Sequence, residues 1–376
     1  MELPLIRLSK ATVGAEEVQA LTRVIEDGYL GMAKEVQALE VELQEFIGSK
    51  PHVVCVNTGT SALHLALQAC GIGPGDEVLV PTLTYLASFQ AVSATGAKPV
   101  ACDVDSETGF LDGEDAKKRI TPRTKAIMPV HYASNLYGLD SIYDLSKSQG
   151  LRVIEDAAHS FGGRHGTGER VGSRGDVVCF SFDSIKNITC GEGGAVITQD
   201  IAVANHVRDA RLLGVEKDTE KRFSGQRSWD FDTTHQGWRY HMSDVMAAIG
   251  RCQLKKVDGF VEKRQQLAQQ YQDFFQNDSC VRTFPFDYTT IAPHIFPIFL
   301  KYGCRDNLRA FLLQHNIQTG LHYKLNHTLS LFKTSYALPK AESLFAGLLT
   351  LPLHPTLSSA DVARVCETIC LWKKSL

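Results

Sequence analysis

From residue 53 to about residue 200, short apolar runs alternate with amphipathic stretches. The runs Val53–Val56, Glu77–Val80, Pro99–Asp103, Ala126–Val130, Arg152–Glu155, Val177–Phe182 and Ala195–Thr198 predict strands. Between them lie helix-spaced apolar positions such as Leu63, Ala66, Leu67 and Cys70. Strands alternating with helices form βαβ units, so the expectation is an α/β fold with a mostly parallel sheet covered on both faces. Residues 214–236 break the rhythm: Gly214-Val-Glu-Lys-Asp-Thr-Glu-Lys-Arg222 is polar and charged and predicts an exposed loop. Ser243–Gln276 predicts one long helix, or two with a break near Gly259. Beyond it the pattern mixes α and β without parallel alternation. This divides the chain into a large domain over residues 1–250 and a small α+β domain over 251–376. The N-terminal segment is free to pack with the smaller one.

Composition narrows the function classes. Hydrophobic residues are 44% of the 376 and charged residues 22%, which is ordinary globular usage. A net charge of −3 gives no basic field and argues against nucleic acid as a partner. The start, Met1-Glu-Leu-Pro-Leu-Ile-Arg7, has no charged segment leading into an apolar one, and no long apolar run follows anywhere. Secretion and membrane spanning are therefore not expected, and a cytoplasmic setting is. The 10 cysteines are scattered, with no Cys-x-x-Cys. Most sit in apolar runs, so they read as reduced core thiols rather than a metal site.

Ligands in open α/β sheets bind beyond the carboxyl ends of the strands, and four such ends carry chemistry. Asn57-Thr58-Gly59-Thr60-Ser61 leads from a strand into a helix, which suits an anion, although a plain helix cap fits equally. Ile154-Glu155-Asp156-Ala157-Ala158-His159 ends a strand on an acidic pair, with a histidine one turn on. Its carboxylate faces a ligand cation or caps the next helix. Cys179–Gly194 places Lys186 in a mostly uncharged stretch before a glycine cluster. Desolvation would make that amine nucleophilic, as Schiff-base chemistry requires; a lysine reaching to the surface is the alternative. Pro81-Thr82-Leu83-Thr84-Tyr85 sets an aromatic where it would stack on a planar ring or join the core. Together these parts match pyridoxal phosphate, which needs a lysine, an acid for its ring nitrogen, an anion site and a flat apolar surface.

The same residues resemble the DegT/DnrJ/StrS family of sugar aminotransferases. The resemblance covers Asn57–Ala69, Gly73–Pro81, Ala126–His131, Ile154–His159, Cys179–Gly194 and Gly237–Leu254. It implies a type I pyridoxal phosphate-dependent transferase fold, like that of aspartate aminotransferase, and a homodimer with shared active sites. It also implies transfer of an amino group from L-glutamate to a nucleotide-linked keto sugar, in the biosynthesis of aminosugars for polysaccharide such as O-antigen. By motif, Lys186 would join the cofactor, Asp156 pair with its ring nitrogen and His159 lie near its phenolic oxygen. Tyr85 would stack on the ring, while Gly59, Thr60 and Ser181 hold the phosphate. A dehydratase branch has histidine where this chain has Lys186, so lysine favours transamination. Where members often read Gly-Tyr-Asn-Tyr-Arg, this chain reads Gly237-Trp238-Arg239-Tyr240-His241. Arg239 would then replace the Asn that reaches the neighbouring subunit's cofactor.

His131, His322, Tyr323 and His327 match positions near the sugar. Lys221, Arg222 and Arg227 are candidates for contact with a diphosphate. Lys186–Gly194 and Pro129–Tyr132 resemble branches that aminate C-4, which suggests a dTDP- or UDP-linked 4-keto-6-deoxyhexose. Amination at C-3 or of a cyclitol is the alternative. A ligand-sensing regulator on the same fold is the rival of another class. A dinucleotide fingerprint, a P-loop, an EF-hand, a serine-hydrolase elbow and a zinc-protease motif are all absent or incomplete.

Overall fold

The computed structural model describes residues 4–375, apart from the Tyr302 side chain. Seven short strands form the main sheet: β1 (His52–Val56), β2 (Glu77–Pro81), β3 (Lys98–Cys102), β4 (Thr124–Ile127), β5 (Arg152–Asp156), β6 (Val177–Ser181) and β7 (Gly194–Thr198). Their order across the sheet is β1-β7-β6-β5-β4-β2-β3, and β7 alone runs antiparallel to its neighbours. All seven predicted strands are present within a few residues. β4 ends earlier than expected, at Ile127; two residues on, Pro129 has no N–H to give to a ladder.

Side chains alternate across this sheet. Val54, Val56, Val177 and Cys179 enter one core, while Val53, Cys55, Val178 and Phe180 enter the other. Both faces are thus apolar, which is why the strands read as continuous hydrophobic runs. Helices α1 (Ala15–Asp27), α2 (Lys34–Ile47), α3 (Gly59–Ala69) and α4 (Leu86–Ala94) belong to the first half of the chain. A second sheet, β8 (Val281–Thr283), β9 (Phe296–Leu300) and β10 (Leu348–Leu351), is antiparallel in the order β10-β9-β8. The N-terminal segment crosses to this part of the molecule: Ile6 pairs with Ile317, and Leu8 O accepts the Leu353 N–H at 3.1 Å.

Two expectations need revision. The break in the 243–276 segment falls at Lys255–Lys256, between helices Asp244–Leu254 and Val257–Phe275, and Gly259 lies in the first turn of the second. Glu17 Oε1 accepts from Gln253 Nε2 at 2.8 Å and Lys256 Nζ at 2.7 Å, so a tertiary anchor fixes the break and the glycine does not. Residues 214–236 are not all loop. They contain the short helix Asp218–Phe223, where Asp218 is buried and pairs with Arg222 at 2.6 Å. Five of the ten cysteines are buried and five are half-exposed, so core packing accounts for half of them. No helix among the described residues is long and apolar enough to cross a membrane.

Candidate active site

The carboxyl ends of β1, β2, β5 and β6 converge on a cavity of about 420 Å³. Its wall includes Gly59, Thr60, Tyr85, Asp156, His159, Ser181, Lys186, His322 and Tyr323. Nine sequence candidates that lie far apart along the chain are thus brought together.

β1 runs straight into α3 at the cavity floor. Thr58 caps the helix, its Oγ1 accepting the Ser61 N–H at 3.0 Å. The Ala62 N–H goes to Thr58 O. Among the described residues, the Gly59 and Thr60 N–H groups have no acceptor, so the turn leaves two open donors at a positive helix end. Close packing requires glycine here. A Cβ on Gly59 would stand 2.7 Å from Ser181 Cβ, and one on Gly194 would stand 2.4 Å from Thr58 O. Glycine at both places lets the Ser181 hydroxyl sit beside the open N–H groups.

Asp156 ends β5 and is buried. Ser88 Oγ, on α4, donates to its Oδ2 at 2.7 Å, and the Ala158 N–H donates to Oδ1 at 3.2 Å. Thr84 Oγ1 lies 2.8 Å from Ser88 Oγ, so a chain of two hydroxyls steadies the carboxylate. Lys186 follows β6 in a turn closed by its own N–H to Asp183 O at 3.1 Å. Among the described residues nothing hydrogen bonds or ion-pairs with its Nζ. Burial pushes this amine down to about 8, against the opposing pull of Asp156 and Asp183.

Opposite stand three histidines and a tyrosine. His159 Nε2 lies 2.8 Å from the Tyr323 hydroxyl, and its Nδ1 accepts the Ala133 N–H at 3.3 Å. Burial, then the Lys186 charge, holds its imidazole well below the usual range. His322 bonds Thr350 Oγ1 through Nδ1 at 2.9 Å and is pushed down to about 4 by burial and then Lys186. His294 packs on His159 with ring centres 4.6 Å apart. Tyr85 is 61% exposed at the mouth, its ring 5.6 Å from that of Tyr323, so one face is open to a planar ligand.

Six candidates lie outside the cavity, Lys221, Arg222 and Arg227 among them. His131 is wholly buried behind β5, with Nδ1 2.7 Å from Ser160 Oγ and Nε2 2.8 Å from Glu155 Oε2. His327 is buried with Nδ1 2.8 Å from Thr82 Oγ1 and Nε2 3.1 Å from Glu342 Oε1, clamping the strand-end loop from below. Arg239 is exposed, pairs through its backbone with Leu212, and does not line the cavity of its own chain. Conversely, sequence reasoning passed over His294, Glu192, Thr84 and Ser88. Only His294 carried a signal, as a histidine inside the apolar run Ile291-Ala-Pro-His-Ile295.

An unpartnered lysine amine facing an anchored carboxylate, beside a helix start with free donors, is a site built for amine chemistry. The fold around it is that of the type I aminotransferases. The chain belongs to the DegT/DnrJ/EryC1/StrS aminotransferase family, whose model matches residues 11–370. It is 35% identical over 368 residues to the spore coat polysaccharide biosynthesis protein SpsC of Bacillus subtilis, covering 95% of this chain and 94% of the relative. PseC of Helicobacter pylori, an aminotransferase involved in the biosynthesis of pseudoaminic acid, superposes with a TM-score of 0.91 at 25% identity, over 99% of this chain and 100% of its own. The PLP form of Spr1654 from Streptococcus pneumoniae gives 0.90 at 26% identity, over 99% and 100%. Membership in an aminotransferase family, with the lysine in place, sets the chain among enzymes rather than ligand sensors.

Proposed function

We propose that this enzyme uses pyridoxal phosphate to move an amino group from L-glutamate to a nucleotide-linked keto sugar. The observation that carries the reading is the convergence of Lys186, Asp156 and the open N-terminus of α3 on one cavity. These residues fit the cofactor: the Gly59 and Thr60 N–H groups with Ser181 suit its phosphate, Asp156 its ring nitrogen, and Tyr85 a ring face. When bound, pyridoxal phosphate supplies an aldehyde that joins amines and a ring that accepts electrons from the adjacent bond. Lys186 carries the proton: with its amine near 8, a usable fraction is unprotonated at neutral pH and can accept or return one. Asp156, fixed by Ser88 and the Ala158 N–H, presents its carboxyl group to the cavity where a ring nitrogen would be held.

The sugar part of the reading is supported by SpsC, named for polysaccharide biosynthesis, and by the PseC fold match. Within it we favour a dTDP- or UDP-linked 4-keto-6-deoxyhexose, and a cytoplasmic homodimer. The test is the visible spectrum of the purified protein with pyridoxal phosphate. A yellow band that bleaches with L-glutamate and returns with the right keto sugar is expected. A protein that takes up no cofactor, or that glutamate leaves yellow, refutes the proposal.

A further inference from the structure

The His159–Tyr323 contact has a direction that the surrounding backbone fixes. A backbone N–H can only donate, and the Ala133 N–H reaches His159 Nδ1 at 3.3 Å. That nitrogen therefore carries no proton, and the neutral imidazole holds its single proton on Nε2. Nε2 lies 2.8 Å from the Tyr323 hydroxyl, so His159 donates and the tyrosine oxygen accepts. The tyrosine's own proton must then point elsewhere. Among the described residues no acceptor takes it, and the side chain lines the cavity that holds Lys186.

We propose that Tyr323 presents the hydrogen-bond donor to an acceptor oxygen of the molecule bound beside Lys186, and that His159 is the positioning residue that aims it. Both nitrogens of His159 are already engaged, so it has no direct bond left to give. The assignment rests on the proposed function only for the owner of that oxygen, either the cofactor's phenolic group or the keto substrate. The phenol is also held from behind. Tyr132 Oη donates to His322 O at 2.8 Å, and His322 Nδ1 lies 2.9 Å from Thr350 Oγ1, which leaves the segment carrying Tyr323 little freedom to swing. Burial, with Asp156 next, pushes the Tyr323 hydroxyl upward, so it stays a donor at any working pH.

The experiment uses the full-length protein loaded with pyridoxal phosphate. Tyr323→Phe keeps the ring and removes only the O–H. Its visible band is titrated with pH, and its kcat and KM are measured for donor and for keto sugar. A displaced titration of the band without substrate assigns the oxygen to the cofactor. An unchanged titration with turnover lowered about 10- to 100-fold assigns it to the substrate. His159→Asn cuts the same bond from the other side. The double variant is expected to match Tyr323→Phe within about twofold, because both act through one hydrogen bond. A Tyr323→Phe enzyme that matches the wild type in both readouts overturns the proposal, as do losses that multiply in the double variant. Failure of the wild-type protein itself to load pyridoxal phosphate refutes the function reading instead, so the two are told apart.

Discussion

Lys186 shows how one side chain trades stability for reactivity. Its amine is taken out of water with no bonded partner, and this lowers it from 10.5 to about 8. In the unfolded chain it titrates at its ordinary value, so between those two pH values the unfolded state binds more protons. Stability therefore rises with pH across that window, and below about 8 the folded protein bears the whole cost of the buried charge. Lys186→Ala removes that cost. The cofactor-free variant should be more stable than cofactor-free wild type by up to about 3 kcal/mol at pH 7, with the gap closing towards pH 10.5. Urea unfolding at several pH values measures this, and an equal gap at every pH refutes it. The same variant should have no transaminase turnover. Lys186, Asp156 and His159 were legible because each follows an apolar run that ends abruptly in polar residues. Ser88 was not, because a serine inside a helix gives no hint that its hydroxyl meets a carboxylate 68 positions away. His131 and His327 lie outside the cavity for reasons the sequence hides: a histidine after a strand looks alike whether it faces a ligand or, like His131, the buried Glu155, and His327 meets Thr82 from 245 positions away.

At the scale of elements, β1 is an edge strand of the main sheet that leads directly into the α3 turn. The outward backbone groups of Cys55 are satisfied by side chains, while beyond it Val56 bridges to His241 and the Asn57 N–H goes to Tyr240 O. Glu40 Oε1 accepts the Cys55 N–H at 2.8 Å, and Arg211 donates to Cys55 O at 2.6 Å. Arg211 and Glu40 also pair with each other at 2.5 Å, the arginine side chain being wholly buried. Together with the backbone bridge from Val56 to His241, this ion pair covers the edge. Arg211→Met should cost about 3–5 kcal/mol, because it strands a buried carboxylate and a backbone carbonyl together. A urea midpoint within error of wild type would refute that. The seven strands of the main sheet were legible from period alone, whereas the short helix Asp218–Phe223 was not. The Lys255–Lys256 break was not, because Glu17 fixes it from more than two hundred residues away.

At the scale of the molecule, the cavity joins regions that the chain keeps apart: strand ends of the main sheet, the His322–Tyr323 segment and the loop bearing His294. Arg239 stands outside this arrangement, exposed and held at the surface by its bridge to Leu212. In the proposed homodimer, a residue useless to its own cavity can serve the other. The prediction follows from symmetry: Lys186→Ala and Arg239→Ala each disable sites, but in different subunits' keeping. In a mixed dimer, one site collects both defects and the other collects neither. Equal mixing of the two inactive variants, after dissociation and reassociation, makes about half the dimers mixed, each with one intact site of two. About a quarter of wild-type activity should return. If Arg239 serves its own subunit's site, every mixed dimer has one defect in each site and no activity returns. If the chain works as a monomer, mixing changes nothing, and a sedimentation run on the same sample separates that result from the preceding one.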